Sequence, residues 1–195
     1  MTRLPTLFIS HGGGPCFFMD WDPPDTWMRL GDSLRALPDQ VGVEPRAVLW
    51  ISAHWEAPQF AVTAHPAPSL IYDYHGFPPH TYALRYPAPG APQVAERVCA
   101  LLQGAGIAVT ADDQRGFDHG LFIPALLSYP DARLPMLQLS LRGDLDPAAH
   151  VACGRALAPL RDEGVLIIGS GYSYHNLRAF GPAAAPVAHT FDDAL

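Results

Sequence analysis

Few cysteines, little charge and no long apolar run set this sequence apart, and each shortage excludes something. The three cysteines among 195 residues, Cys16, Cys99 and Cys153, are too scattered for a C-x-x-C metal or redox motif. Being few and odd in number, they also argue against a disulfide scaffold, so a reducing, cytoplasmic setting is expected. No stretch approaches the roughly 18 apolar residues of a membrane span, and the start, Met1-Thr2-Arg3-Leu4-Pro5, lacks the apolar run of a signal peptide. The chain therefore reads as soluble, without a membrane partner. Lys and Arg number 12 against 19 Asp and Glu, a formal net charge of −7, which leaves no basic footprint for nucleic acid. Phosphate-binding and nucleophile motifs are missing too. Gly12-Gly13-Gly14 has no Lys-Ser/Thr after it and is no G-x-G-x-x-G. Gly169-Ser170-Gly171 is not the G-x-S-x-G of a nucleophile elbow.

What is present is material for a core. Hydrophobic residues make up 49% and charged residues 16%, which excludes a disordered chain and suits a single domain. Short apolar runs alternate with amphipathic stretches. Strands are expected at Thr6–Ser10, Ala47–Ala53, Phe60–Ala64, Ile107–Thr110, Pro135–Leu141 and Val165–Gly169, and helices at Trp27–Leu37, Pro92–Gln103, Leu121–Tyr129 and Asp146 to about Glu163. Many of the 21 prolines fall at expected turns, and the segment from Pro66 to Pro89, rich in Pro, Tyr and His, reads as a long loop that could cover a pocket. The alternation predicts an α/β fold: one domain, a central mostly parallel or mixed sheet, helices on both faces, and a site at the carboxyl ends of the strands.

The nine histidines matter by position rather than by count. His11, His54 and His175 each fall at, or a few residues beyond, the carboxyl end of an expected strand, the edge where open α/β sheets bind ligands. His119, at an expected loop-to-helix junction, could join them. Glycines beside His11 and before His175 allow close backbone approach. Neutral imidazole is a common ligand for Zn, Fe, Cu and Ni alike, so these residues predict a metal and leave its identity open. A single histidine after a strand is about as often a hydrogen-bonding partner of a loop carbonyl as a ligand; it is the shared placement that favours the metal. His65, His75, His80, His150 and His189 lack that context, although His75 and His80 sit in a loop that could line the pocket. Trp50, Trp55 and Phe117 read as core or pocket wall.

Several segments, taken in order, carry a resemblance. They are His11-Gly12-Gly13-Gly14-Pro15, Ile51-Ser52-Ala53-His54-Trp55, Gly76-Phe77-Pro78, Tyr86-Pro87-Ala88-Pro89-Gly90, Gly116-Phe117-Asp118-His119-Gly120, and Gly169-Ser170-Gly171 leading to His175-Asn176-Leu177. The set resembles the class III extradiol ring-cleavage dioxygenases, in the DOPA 4,5-dioxygenase-like branch related to protocatechuate 4,5-dioxygenase. The resemblance implies a dioxygenase that opens a catechol-type ring next to its two hydroxyls, with a small aromatic diol and O2 as partners. It implies a non-haem Fe(II) site, with Zn(II) in some relatives. By the same resemblance His11 and His54 match metal ligands, and His175 matches a histidine that is a ligand in some relatives and an acid/base in others. His119 matches a histidine assisting oxygen chemistry. A base titrating near neutrality must take a diol proton, and His175 is the first choice for it.

Relatives of this kind carry a further C-terminal region with a last ligand, Glu or His, whereas this sequence stops at Leu195. Residues 1–195 are thus expected to form one catalytic domain without the family's C-terminal segment, either as a fragment, with His175 completing a reduced site, or as a truncated homologue binding metal poorly. An incomplete sheet edge would also encourage self-association into a homo-oligomer. Two other readings stand beside the dioxygenase: a zinc hydrolase using metal-bound water without O2, and a non-catalytic metal-binding module on the same scaffold.

Overall fold

A computed structural model describes residues 3–176, 178–179 and 181–195; Leu177, the last residue of the motif beginning at His175, lies outside them. Strand β1 spans Thr6–Ser10, followed by helices α1 (Met28–Arg35) and α2 (Leu37–Val41). Strands β2 (Ala47–Ala57) and β3 (Phe60–Thr63) precede the long loop, then come α3 (Pro92–Gly104), β4 (Val109–Asp112), α4 (His119–Ser128), β5 (Met136–Arg142), α5 (Pro147–Leu157), β6 (Val165–Gly171) and α6 (Ala185–Asp192). The strands form one sheet in the order β1-β6-β2-β5-β3-β4. The first four run parallel, whereas β3 opposes β5 and carries β4 parallel to itself. The sheet is mixed, as expected.

Alternation along the strands builds two cores. Val48, Trp50, Met136, Leu166 and Ile168 face one side with Leu121, Phe122 and Ile123 of α4. Ala47, Leu49, Leu137, Leu139, Val165 and Ile167 face the other with Val94, Val98 and Leu102 of α3 and Leu157 of α5. Strands buried on both faces read as continuous apolar runs, which is why periodicity alone marked them so weakly. Only one ladder pair, Val62 with Leu139, joins β3 to β5. Side chains reinforce it: Ser140 Oγ accepts from Ala61 N at 2.9 Å, and Thr63 Oγ1 accepts from Gln138 N at 2.8 Å.

Several elements differ from expectation. The helix expected over Trp27–Leu37 is two, because Pro38 starts a new helix at its first turn rather than continuing the old one. The helix expected to reach Glu163 stops at Leu157 and tightens into a 3-10 turn, Ala158–Arg161, where Pro159 removes an N–H. Strand β2 does not end before His54. Its pairing to β5 shifts register between Ile51 and Glu56, so His54 lies in an irregular stretch and the ladder resumes beyond it. Helix α6 was not anticipated, and none of its residues is buried. Among the described residues no helix is long and apolar enough to cross a membrane.

Candidate metal centre

Because β1, β6 and β2 are neighbours in the sheet, their carboxyl ends meet. His11 follows β1 directly, His54 stands in the bulged part of β2, and His175 lies four residues past β6. Helix α4 packs over β2 and β6 and delivers His119 as its first residue. One ligand atom from each of His11, His54 and His119 lies within 4.8 Å of the other two, with Nε2 of His11 and His54 3.0 Å apart. His175 is outside this group of three. It is exposed, its ring 5.6 Å from that of Tyr172, and it lines the same cavity as the trio.

Each imidazole of the trio is held from behind. His11 is buried, with Nδ1 3.0 Å from Ser170 Oγ. His119 donates from Nδ1 to Asp73 Oδ1 at 2.8 Å, and its backbone N–H reaches the same oxygen at 2.9 Å. Asp73 Oδ2 lies 3.8 Å from His54 Nδ1, so one carboxylate stands behind two rings. His54 is fixed through its backbone, whose N–H donates to Ser52 Oγ at 3.2 Å; Ser52 in turn donates to Asp118 Oδ1 at 2.7 Å. The buried Asp118 carboxylate also caps α4, accepting from Gly120 N at 3.0 Å, and pairs with Arg115 at 3.1 Å. A side chain on Gly120 would place a Cβ 2.5 Å from Ser52 Oγ, so glycine is what lets the helix start lie against the bulge.

Burial and the neighbouring rings favour the neutral form of His11 and His54. Burial pushes the His11 pKa down to about 3, reinforced by His119 and His54, and burial with His119 also lowers His54. Burial opposes ionisation of Asp73, but the hydrogen bonds and charge of His119 outweigh it and hold the carboxyl below its usual range. Three imidazoles converging on one point, two with their second nitrogens engaged, match what a nitrogen-donor site for a divalent transition metal requires.

The trio opens into a cavity of about 590 Å³, lined by Gly12 to Gly14, Trp27, Tyr74, Phe77 and Tyr172 among others. Gly12 and Gly14 have positive φ, +80° and +54°; a Cβ on the first would collide with Cys16 Sγ and on the second would press on the Phe77 ring. The long loop supplies Asp73 and Tyr74 and carries its own fastening: Tyr74 donates to Thr81 O at 2.8 Å and Tyr86 to Tyr129 O at 3.0 Å. Asp73 was not singled out from the sequence; the only signal was its place in the loop thought to cover a pocket. The remaining histidines divide. His80 bonds Phe18 O, His150 bonds Asp146 O, and His65 accepts from Ala67 N, while His75 lines the cavity.

Comparison with known proteins gives this arrangement its class. Residues 5–195 match the family described as the catalytic LigB subunit of aromatic ring-opening dioxygenase. A 4,5-DOPA dioxygenase extradiol of Beta vulgaris is 43% identical over 194 residues, covering 97% of this chain and 70% of the relative. The Escherichia coli K12 protein of the same name is 42% identical over 178 residues, covering 91% and 62%. A dioxygenase of Hapsidospora irregularis is 41% identical over 186 residues, covering 92% and 57%. A solved structure of an uncharacterized Escherichia coli K12 protein superposes with a TM-score of 0.71 at 35% identity, covering 98% of this chain and 72% of that one. The chain belongs to the LigB family of ring-opening dioxygenases, in its extradiol class. It spans between 57% and 70% of the length of the three named relatives.

Proposed function

We propose that residues 1–195 act as the catalytic domain of a metal-dependent extradiol dioxygenase that opens a catechol-type ring with O2. The observation that carries this reading is the convergence of three imidazoles at the strand ends, within a cavity of about 590 Å³ partly lined by aromatic side chains. His11 and His54 hold the metal, with Fe(II) as the active ion and Zn(II) as an ion the same donors accept. When bound, the metal supplies Lewis acidity toward the diol oxygens and a path for electrons from ring to O2.

The chain's own residues do the rest. Tyr74, Phe77 and Trp27 offer faces and edges for an aromatic ring. Gly12 to Gly14 keep side chains out of the approach to His11. His175, an exposed imidazole of the cavity outside the cluster of three, is suited to take a diol proton and pass it to solvent. The sequence reading gave His175 a second role as ligand; its position outside the cluster supports the base role instead. His119 presents Nε2 to the same point as His11 and His54, anchored by Asp73. From there it serves either as third donor or as the group that hands a proton to the reacting oxygen. Metal content separates the two: a His119→Ala chain that keeps stoichiometric metal but loses turnover has lost a proton carrier.

The three free thiols suit a reducing, cytoplasmic compartment. The edge strand β1, with Phe8 65% exposed, favours self-association of copies of this chain.

The test is oxygen uptake after anaerobic loading with Fe(II), on addition of a catechol such as DOPA. Uptake with a yellow ring-opened product is expected. Metal bound without uptake for any diol would refute the reading in favour of a metal-binding module, and hydrolytic activity with Zn(II) and no O2 would refute it in favour of a hydrolase.

A further inference from the structure

Helix α4 is buried along almost its whole length yet contains Pro124, its sixth residue. A proline there has no N–H, so the carbonyl of Gly120, four residues earlier, loses its ordinary helical donor. That carbonyl does not go unmatched. The hydroxyl of Ser170, on β6, lies 2.6 Å from it. The same Ser170 oxygen lies 3.0 Å from His11 Nδ1, and all of these groups are buried.

A serine hydroxyl has one proton to give. Gly120 O can only accept, so the hydroxyl donates to it. The contact with His11 is then satisfied only if Nδ1 carries a hydrogen and donates to Ser170. A neutral imidazole protonated at Nδ1 has its lone pair on Nε2, the nitrogen that faces His54. We propose that Pro124, Gly120 O and Ser170 form a positioning relay that fixes His11 as its Nδ1–H tautomer, so that Nε2 is always presented as a lone pair to the metal centre.

The helix-breaking residue thus has a purpose at the site. An alanine at 124 would give Gly120 O a second, competing donor and weaken its hold on the Ser170 proton, which could then turn toward His11, moving the ring hydrogen to Nε2 and closing the lone pair. Asp73 does for His119 with a carboxylate what Ser170 does for His11 with a hydroxyl, but a hydroxyl can point either way and needs a fixed acceptor beyond it. The relay's value to catalysis rests on the metal-centre reading above; the tautomer itself does not.

The test has two readouts. Long-range proton–nitrogen NMR of the metal-free chain with labelled histidine reports the His11 tautomer directly, and titration with Zn(II) reports affinity. The wild-type chain is expected to show a single Nδ1–H form at His11. Ser170→Ala should lose that preference and bind Zn(II) about 10- to 100-fold more weakly, as for other partners behind a ligating histidine, and Ser170→Thr, which keeps the hydroxyl, should restore both. Pro124→Ala leaves every group at His11 in place, strengthens the helix, and should still yield a tautomer mixture. An Nε2–H form in the wild-type chain, or an unchanged tautomer in both Ser170→Ala and Pro124→Ala, overturns the relay. A correct tautomer in a chain that binds no metal would leave the relay standing and overturn the metal centre instead.

Discussion

The two walls of the cavity are built on different terms. On one, His11, His54 and His119 are each tied back by Ser170, Ser52 or Asp73, and those partners are themselves bonded to Asp118, Gly120 or the backbone. On the other, the segment after β6 brings Tyr172, Tyr174, His175 and Asn176 to the same space; His175 and Asn176 are exposed. Among the described residues its ties include Asn176 to the Tyr174 hydroxyl at 3.5 Å. A group that must hold a metal gains from preorganisation, since fixed donors need no rearrangement on binding. A group that must collect a proton and release it gains from contact with water. On the proposed reading, one wall holds the metal and the other exchanges the proton.

Substitutions can break this contrast. The largest effect is expected from His11→Ala or His54→Ala, which should abolish both metal retention and turnover, as read by metal analysis and oxygen uptake. His175→Ala should cut kcat by roughly 10²–10⁴-fold, the usual contribution of a general base, while metal content stays stoichiometric. Losing metal in that variant would move His175 to the holding wall. Asp73→Asn keeps the shape but removes the charge behind His119 and His54, and about a 10- to 100-fold loss of metal affinity or activity is expected. Val187→Ser, on the solvent side of α6 where Val187 is 57% exposed, should leave turnover unchanged and shift unfolding by no more than about 0.5 kcal/mol.

The sequence made the fold and the position of the candidate site legible, because both follow from local signals. Apolar runs marked every strand, and histidines placed at or past their ends pointed to one edge of a parallel sheet. What it could not convey was long-range. Asp73 reaches His119 across 46 positions, and no local pattern distinguishes it from other loop carboxylates. Ser170 was noticed only as the middle of a glycine pair, since its partners, His11 and Gly120, are joined to it through the sheet and the helix packed on it. His54 was found for a reason that was half right: β2 does not stop there but swells past it and re-pairs at Glu56. The first turn of α4 was legible only in part. Asp118 stood in a motif of the resemblance, but its burial against Arg115 and Ser52 depends on the bulge opposite. Helix α6 was not anticipated, and none of its residues is buried.

The central claim is that the imidazole cluster supports insertion of O2 into an aromatic diol. Its most direct test is turnover of a catechol by the Fe(II)-loaded chain under ¹⁸O₂, with borohydride trapping before the aldehyde oxygen exchanges with water. The account predicts a product opened beside the two hydroxyls and carrying both atoms of one O2. A product with oxygen from water alone, or a ring opened between the hydroxyls, would contradict it.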